Sequence, residues 1–208
     1  IGKGVNETVK ITYIEFAPNH FVEKDLISVE DIPEKSHPEA VVWINIDGLG
    51  NSEIIRMIGE KYKMHQLLLE DILNTYHRPK FEEYDQHVFA TLKMIGLGID
   101  SVDNIVKEQI SIVHGEGWVI SFQEKEGDVF DPLRNRLRDN YRLVRTRSAN
   151  YIFYRLIDLI VDNYFYVTEH LEEHIDELEA EVMANPDKEA RISIQKLKTN
   201  ISSFRKGV

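Results

Sequence analysis

The stretch from Ser148 to Met183 contains neither glycine nor proline and is rich in Leu, Ile, Glu and Asp. One unbroken helix satisfies that pattern, because no residue in it lacks an amide proton or loosens the backbone. At 1.5 Å per residue it reaches roughly 50 Å, too long to lie inside a compact α/β layer. Asn185-Pro186 then offers a cap followed by a proline, a helix-start signal. A second apolar-periodic run, Ile192 to Lys206, continues almost to the last residue. Residues 148–208 therefore predict a long helical hairpin, projecting from or packed along what precedes it. Its second helix has little room for a C-terminal cap, and the first residue is Ile1 rather than Met. Both features suggest a piece of something longer, with the second helix truncated.

Residues 1–147 alternate strand and helix signals and read as one α/β domain. Strands are expected at Val9–Phe16, Val41–Ile46, His87–Ile95, Glu108–Val113 and Trp118–Gln123. Asp47-Gly48 closes the second as a turn signal, and His114-Gly115-Glu116-Gly117 joins the last two as a hairpin. Asn51 or Ser52 caps a helix that ends near Tyr62. A short helix spans about Gln66 to Asn74, with Pro79 preventing a long continuation. Asp131 is expected to cap a helix that opens with Pro132 and runs to about Asp139.

Composition narrows the function. The chain carries 36 Asp+Glu against 25 Lys+Arg, a formal net charge of -11. That disfavours a nucleic-acid binder, which needs a basic footprint, and suits a cationic partner such as a metal ion. There is no cysteine, so disulfides, thiolate metal sites and cysteine nucleophiles are excluded. No apolar window is long enough for a transmembrane helix, and no signal peptide opens the chain. There is no Gly-rich phosphate loop and no G-x-S-x-G, so nucleotide-binding and hydrolase readings lack an anchor.

Acidic side chains carry the remaining signal. Glu169, Glu172, Glu173, Asp176, Glu177, Glu179 and Glu181 share the long helix with no Lys or Arg among them. Like charges one turn apart cost about 0.2–0.5 kcal/mol per pair. Lys196 and Lys198, folded back near Asp176 and Glu173, offset this in one reading; hydrated divalent cations do so in the other. Glu70 and Asp71 end a short helix, at the negative end of its dipole. They diverge by about 100°, so they suit two neighbouring ions better than one. Asp158 and Asp162 lie one turn apart on an otherwise apolar helix, paired with Arg155 or another arginine, or else serving as hard oxygen ligands for Mg2+. The run Arg134, Arg136, Arg138, Arg142, Arg145 and Arg147 has Asp128, Asp131, Asp139 and the acidic helix as partners. His170-Leu171-Glu172-Glu173-His174 matches the H-x-x-E-H pattern of zinc peptidases, but its flanks are plain amphipathic helix without an evident third ligand.

Three segments together resemble the CorA family of Mg2+/Co2+ transport proteins. They are Leu69-Glu70-Asp71-Ile72-Leu73-Asn74-Thr75-Tyr76-His77-Arg78-Pro79-Lys80-Phe81-Glu82-Glu83-Tyr84, the run from Phe122 to Arg138, and Tyr151-Ile152-Phe153-Tyr154-Arg155-Leu156-Ile157-Asp158-Leu159-Ile160-Val161-Asp162-Asn163-Tyr164-Phe165. The likeness extends from Trp43 to the end. At His77 the family more often has Gln, a departure expected to touch no metal position. The resemblance implies a mixed β-sheet between helix layers, an α/β/α sandwich, followed by acidic helices. It further implies the cytoplasmic domain of a homopentameric channel at the inner membrane, without enzymatic activity. The membrane would be reached only through C-terminal transmembrane helices beyond these residues. Mg2+, with Co2+ as a second cargo, would bind between protomers and favour the closed state. Glu70, Asp71 and Asp158 match the regulatory metal positions, with Asp162 added by proximity and Glu169, Glu172, Glu173, Asp176 and Glu177 attracting cations. A zinc-transporting relative, in which His170 and His174 matter, is the alternative, ahead of an H-x-x-E-H hydrolase.

Overall fold

The structure is a computed structural model that describes residues 9–98, 105–184 and 188–208, apart from the side chains of 188 and 189. Its described strands form one seven-stranded sheet in the order β2-β1-β3-β7-β6-β5-β4. β3 (Val41–Asp47) lies near the middle, and all seven of its residues are buried. A strand covered on both faces needs apolar residues in succession rather than in alternation, and Val-Val-Trp-Ile supplies them. β3 runs parallel to β7 (Trp118–Gln123) and antiparallel to β1 (Lys10–Ala17); all other pairs are antiparallel. β6 (Ile105–Gly115) and β7 form the expected hairpin, whose turn places Gly117 at φ +72°, where a Cβ would be strained.

Both sheet edges escape the sequence reading. β2 (His20–Leu26) and β4 (Lys80–Glu83) have half-buried or exposed positions throughout. β5 (Val88–Leu97) separates β4 from the centre. Asp47 also proves to be the last residue of β3 rather than part of the turn.

Helices cover both faces. α1 (Ser52–Lys61) and α2 (Gln66–Leu73) set Ile55, Ile58, Leu68 and Ile72 against Ile44, Ile46 and Phe122 on one face. The Asn51 side chain caps α1, accepting from Glu53 N at 3.1 Å. On the other face, α3 (Asp131–Arg138) and the first half of α4 (Ala149–Ala184) set Leu133, Leu137, Ile152, Leu156 and Ile160 against Trp43, Ile110 and Ile112. This is the α/β/α sandwich expected from the resemblance. Asp131 does not cap α3: it is the first helical residue, Phe130 holds the cap position, and Asp128 Oδ1 accepts from Phe130 N at 2.8 Å. A six-residue 3-10 turn, Tyr141–Thr146, leads into α4. α4 runs for 36 residues, matching the long predicted helix. α5 (Lys188–Arg205) packs along its far half through Leu171, Leu178 and Leu197, with Ile95 of β5. The predicted Asn185-Pro186 start lies outside the described residues.

Two histidines sit where β4–β5 and β6–β7 turn. His87 Nε2 lies 3.1 Å from Tyr62 O and its ring packs on Trp118; the His114 ring packs on Phe153. Burial holds both imidazoles below their ordinary pKa. A lowered folded value means that their stabilisation is present above the unfolded value, near 6.5, and is lost as pH falls through the folded one. His114→Gln is therefore expected to flatten the acid side of a pH–stability profile measured between pH 7.5 and 5; an unchanged slope overturns this.

Candidate functional site

Asp71 is the best-held of the expected metal carboxylates. Its side chain is mostly buried, and Lys80 Nζ donates to Oδ2 at 2.6 Å while His77 Nε2 lies 3.2 Å from Oδ1. Lys80 also reaches Glu82 at 3.0 Å, and burial opposes these pairs less than they favour the charged amine, so its pKa is raised. The backbone is anchored as well: Gln109 Nε2 donates to Asp71 O at 3.1 Å, and Lys93 Nζ bridges Gln109 Oε1 at 3.2 Å and Thr75 O at 2.6 Å. His77, expected to touch no metal position, is thus a direct neighbour of Asp71. Glu70, one residue earlier, is exposed and points away around the helix. Lys80, Gln109 and Lys93 were not singled out in the sequence, because their roles depend on β4, β5 and β6 folding back over α2.

The α4 acids lie on the other face of the sheet, by the same β4–β5 edge. Phe81, next to Lys80 on β4, meets Phe153 of α4 edge-on at 6.4 Å, and Tyr164 OH donates to Lys93 O at 2.6 Å. Between those anchors Asp158 is half-buried and ion-paired with Arg155, the arginine partner anticipated from spacing. Asp162 is exposed. Tyr154, Asp158, Val161 and Phe165 fall at i, i+4, i+7 and i+11, one helix face. The three large apolar members of that face are exposed at 61%, 37% and 65%, and Phe81, which meets Phe153, is exposed as well. Asp158 therefore sits inside an uncovered aromatic and aliphatic stripe.

Further along α4, Glu169, Glu172, Glu173, Asp176 and Glu177 are all exposed. The reading in which α5 offsets them finds no ion pair: among the described residues none joins them to Lys196 or Lys198. Leu197 takes the position facing α4, and Lys198 lines a shallow cleft with Lys107 and Lys206 instead. His170 and His174 lie 3.8 Å from Glu173 and Glu177. Among the described residues no group of three His, Asp or Glu is arranged to hold a metal, so with these residues neither the H-x-x-E-H pair nor the Asp71 and Asp158 regions form a complete cage. The donor chemistry still fits a hydrated hard cation: single carboxylates that leave most of the ion's waters in place. The arginine run finds Asp128 and Asp131 as expected but, among the described residues, pairs with neither Asp139 nor the acidic helix. Arg134 pairs with Asp128 and Asp131, Arg138 pairs with Glu23, and Arg145 donates to the Leu137 and Arg138 carbonyls. Arg136 and Arg142 lie over Tyr141 and Arg147 over Tyr151.

Comparison with known proteins adds a family. Residues 38–208 match the model of the CorA-like Mg2+ transporter protein. The chain is 37% identical over 202 residues to the cobalt/magnesium transport protein CorA of Thermotoga maritima, covering 97% of this chain and 57% of that protein. It spans about half the length of the curated relatives it matches, 57% of one and 46% of another. Among solved structures, the soluble domain of CorA from Methanocaldococcus jannaschii superposes with a TM-score of 0.71 at 20% identity, over 95% of this chain and 74% of that one. The ZntB cytoplasmic domain from Vibrio parahaemolyticus gives 0.61 at 14% identity, over 95% and 77%. At those identities the likeness concerns the fold. No helix among the described residues is long and apolar enough to cross a membrane.

Proposed function

The chain belongs to the CorA family, and from that premise we propose that it is the cytoplasmic, Mg2+-sensing part of a homopentameric Mg2+/Co2+ transporter at the inner membrane. Asp71 and Asp158 are the principal regulatory ligands in this reading, with Glu70 and Asp162 beside them. The observation that carries it is the placement of Asp158 within the exposed Tyr154–Val161–Phe165 stripe of α4. A carboxylate set among large uncovered apolar side chains suits a surface that meets another copy of the chain. Each protomer supplies only part of the coordination, in keeping with the incomplete cages described above. Lys80 and Arg155 act as resident counter-ions. A divalent ion bridging two protomers exchanges those single-charge pairs for a stronger one, and its loss restores them. Mg2+ then shifts the closed–open population by its differential affinity for the two arrangements. The exposed Glu169–Glu177 face adds diffuse attraction for cations.

The test is thermal unfolding of the full-length oligomer. At ten times its dissociation constant Mg2+ is expected to stabilise by about 1.4 kcal/mol per site, a rise in melting temperature of about 3–6 °C. Asp71→Ala with Asp158→Ala is expected to abolish the rise. A double variant that keeps the full Mg2+-dependent shift overturns the assignment. Uptake of Mg2+, Co2+ and Zn2+ into liposomes separates this reading from a zinc transporter.

A further inference from the structure

Where β3 and β7 end side by side, the core beneath α3 and α4 gives way to a chain of buried polar groups. Trp43 Nε1 donates to Ser121 Oγ at 3.0 Å, Ser121 donates to Asn45 Oδ1 at 2.5 Å, and Asn45 Nδ2 donates to Asp47 Oδ1 at 2.8 Å. The Gln123 amide donates to the same Asp47 oxygen. Asp47 is 6% exposed, lines a cleft of about 360 Å3 and has no cation at ion-pair distance among the described residues. On β6, Glu108 is 9% exposed, and its Oε2 has no hydrogen-bond partner. Gln123 Oε1, fully buried, has none either. Glu108 lies diagonal to Gln123 across the β6–β7 pair, since Ile110 is the residue opposite Gln123. Among the described residues, two carboxyls without an ion-pair contact and two unmet acceptors thus share one end of the sheet.

The charges around them are committed elsewhere. Arg134 of α3 is held by Asp128 and Asp131, and Arg138 by Glu23 of β2. Lys10 of β1 takes Glu126, and Asp25 of β2 accepts from Thr12. Glu124 accepts from Gln109 N at 2.6 Å, while the amines of Lys93 and Lys107 turn to the carbonyls of Thr75 and Ser203. Lys125, exposed, offers Glu108 its backbone amide. A buried carboxylate with an unmet oxygen is costly, whereas the same group protonated carries its own donor.

We propose that Asp47 and Glu108 form a proton-operated latch between the sheet and the segment 124–130 that leads into α3: protonated, the latch holds; ionised, it loosens. Ionisation sets the charges of Asp47 and Glu108 against those of Asp128 and Glu124, with the Arg134 guanidinium already held by Asp128 and Asp131, so the repulsion acts on the segment that carries Glu124 and Asp128. Burial first, and then the neighbouring Asp128, pushes Asp47 up to about 6. Burial first, and then Glu124, pushes Glu108 up to about 7. Both lie above the unfolded values, roughly 4. The stabilisation from protonation is therefore complete below about pH 4 and drains as pH rises through the folded values. His87 and His114, beyond the other end of the sheet, act with the opposite sign and are unchanged in the variants below, so they cancel in a comparison with the parent.

The experiment is urea unfolding of the chain and of Asp47→Asn/Glu108→Gln from pH 5.5 to 8 at constant ionic strength. The unfolding constant of the variant relative to the parent is expected to fall at least tenfold across that range, one pKa unit being a factor of ten. Amide exchange of 124–130, corrected for intrinsic base catalysis, is expected to speed up with pH in the parent and to stay flat in the variant. Parallel stability profiles overturn the proposal. Carbon-13 titration of the side-chain carboxyls in the unmodified protein provides a second test that needs no variant. Midpoints for Asp47 and Glu108 above 5.5 support the latch, and midpoints below 5 overturn it.

Discussion

Trp43→Ala is expected to lower the stability of the chain by about 3–5 kcal/mol, as a large-to-small change in a closed core does. Trp43 is fully buried on the central strand β3, and its ring meets Phe130 edge-on at 6.0 Å. The Arg134 guanidinium lies over the same ring at 5.2 Å, and the indole N–H is the donor that begins the Ser121–Asn45–Asp47 chain. Alanine removes the packing between β3 and α3, and it also leaves Ser121 and the polar chain without their first donor. For a chain of this length the loss corresponds to a drop in melting temperature of about 6–20 °C. Trp118 is the other tryptophan and remains as the fluorescent reporter. Trp43→Phe keeps the ring but not the donor, so it is expected to fall between parent and alanine variant. An alanine variant within 1 kcal/mol of the parent would falsify this account of the core.

The same core explains which parts of the fold were legible in the sequence. β3 and β7 bury nearly all of their residues and the first half of α4 buries one face, so their composition must satisfy one packing surface or two, and periodicity reports it. β2 and β4 are edges. The Glu23-Lys24-Asp25 run of β2 and the alternating exposure of β4 meet the demands of an uncovered strand, where charge discourages pairing with other chains. Such a strand carries little apolar signal. The site divides in the same way. Asp158 and Arg155 are three residues apart on one helix, and local spacing was enough to foresee that pair. Asp71 depends on Lys80, nine residues on and across a chain reversal into the unforeseen β4, so its partners were hidden. The expected contact of Lys196 and Lys198 with the acidic face required knowing how α5 rotates against α4, and Leu197 decides that by burying its own side. Asp47 looked like half of a turn because Gly48 follows it; only its pairing with Lys10 and Gln123 makes it the last strand residue.

Arg134→Ala carries the second large effect, an expected loss of about 3–5 kcal/mol from breaking a buried ion pair on one side. The Asp128 side chain is 4% exposed and accepts from both terminal nitrogens of Arg134, at 2.7 and 2.6 Å. Without the guanidinium Asp128 keeps only the Phe130 amide at 2.8 Å. The cost is then mainly that of an orphaned carboxylate, not of the attraction itself, and this makes a distinction that can be measured. If orphaning dominates, Arg134→Met with Asp128→Asn recovers more than half of what Arg134→Ala loses, because no buried charge is left without its partner and the methionine stem still covers Trp43. If attraction dominates, the double variant is as unstable as the single one. Urea midpoints for the parent and both variants decide between these. Recovery also fits the neighbouring carboxyls, since removing the Asp128 charge takes away a repulsion felt by both Asp47 and Glu108.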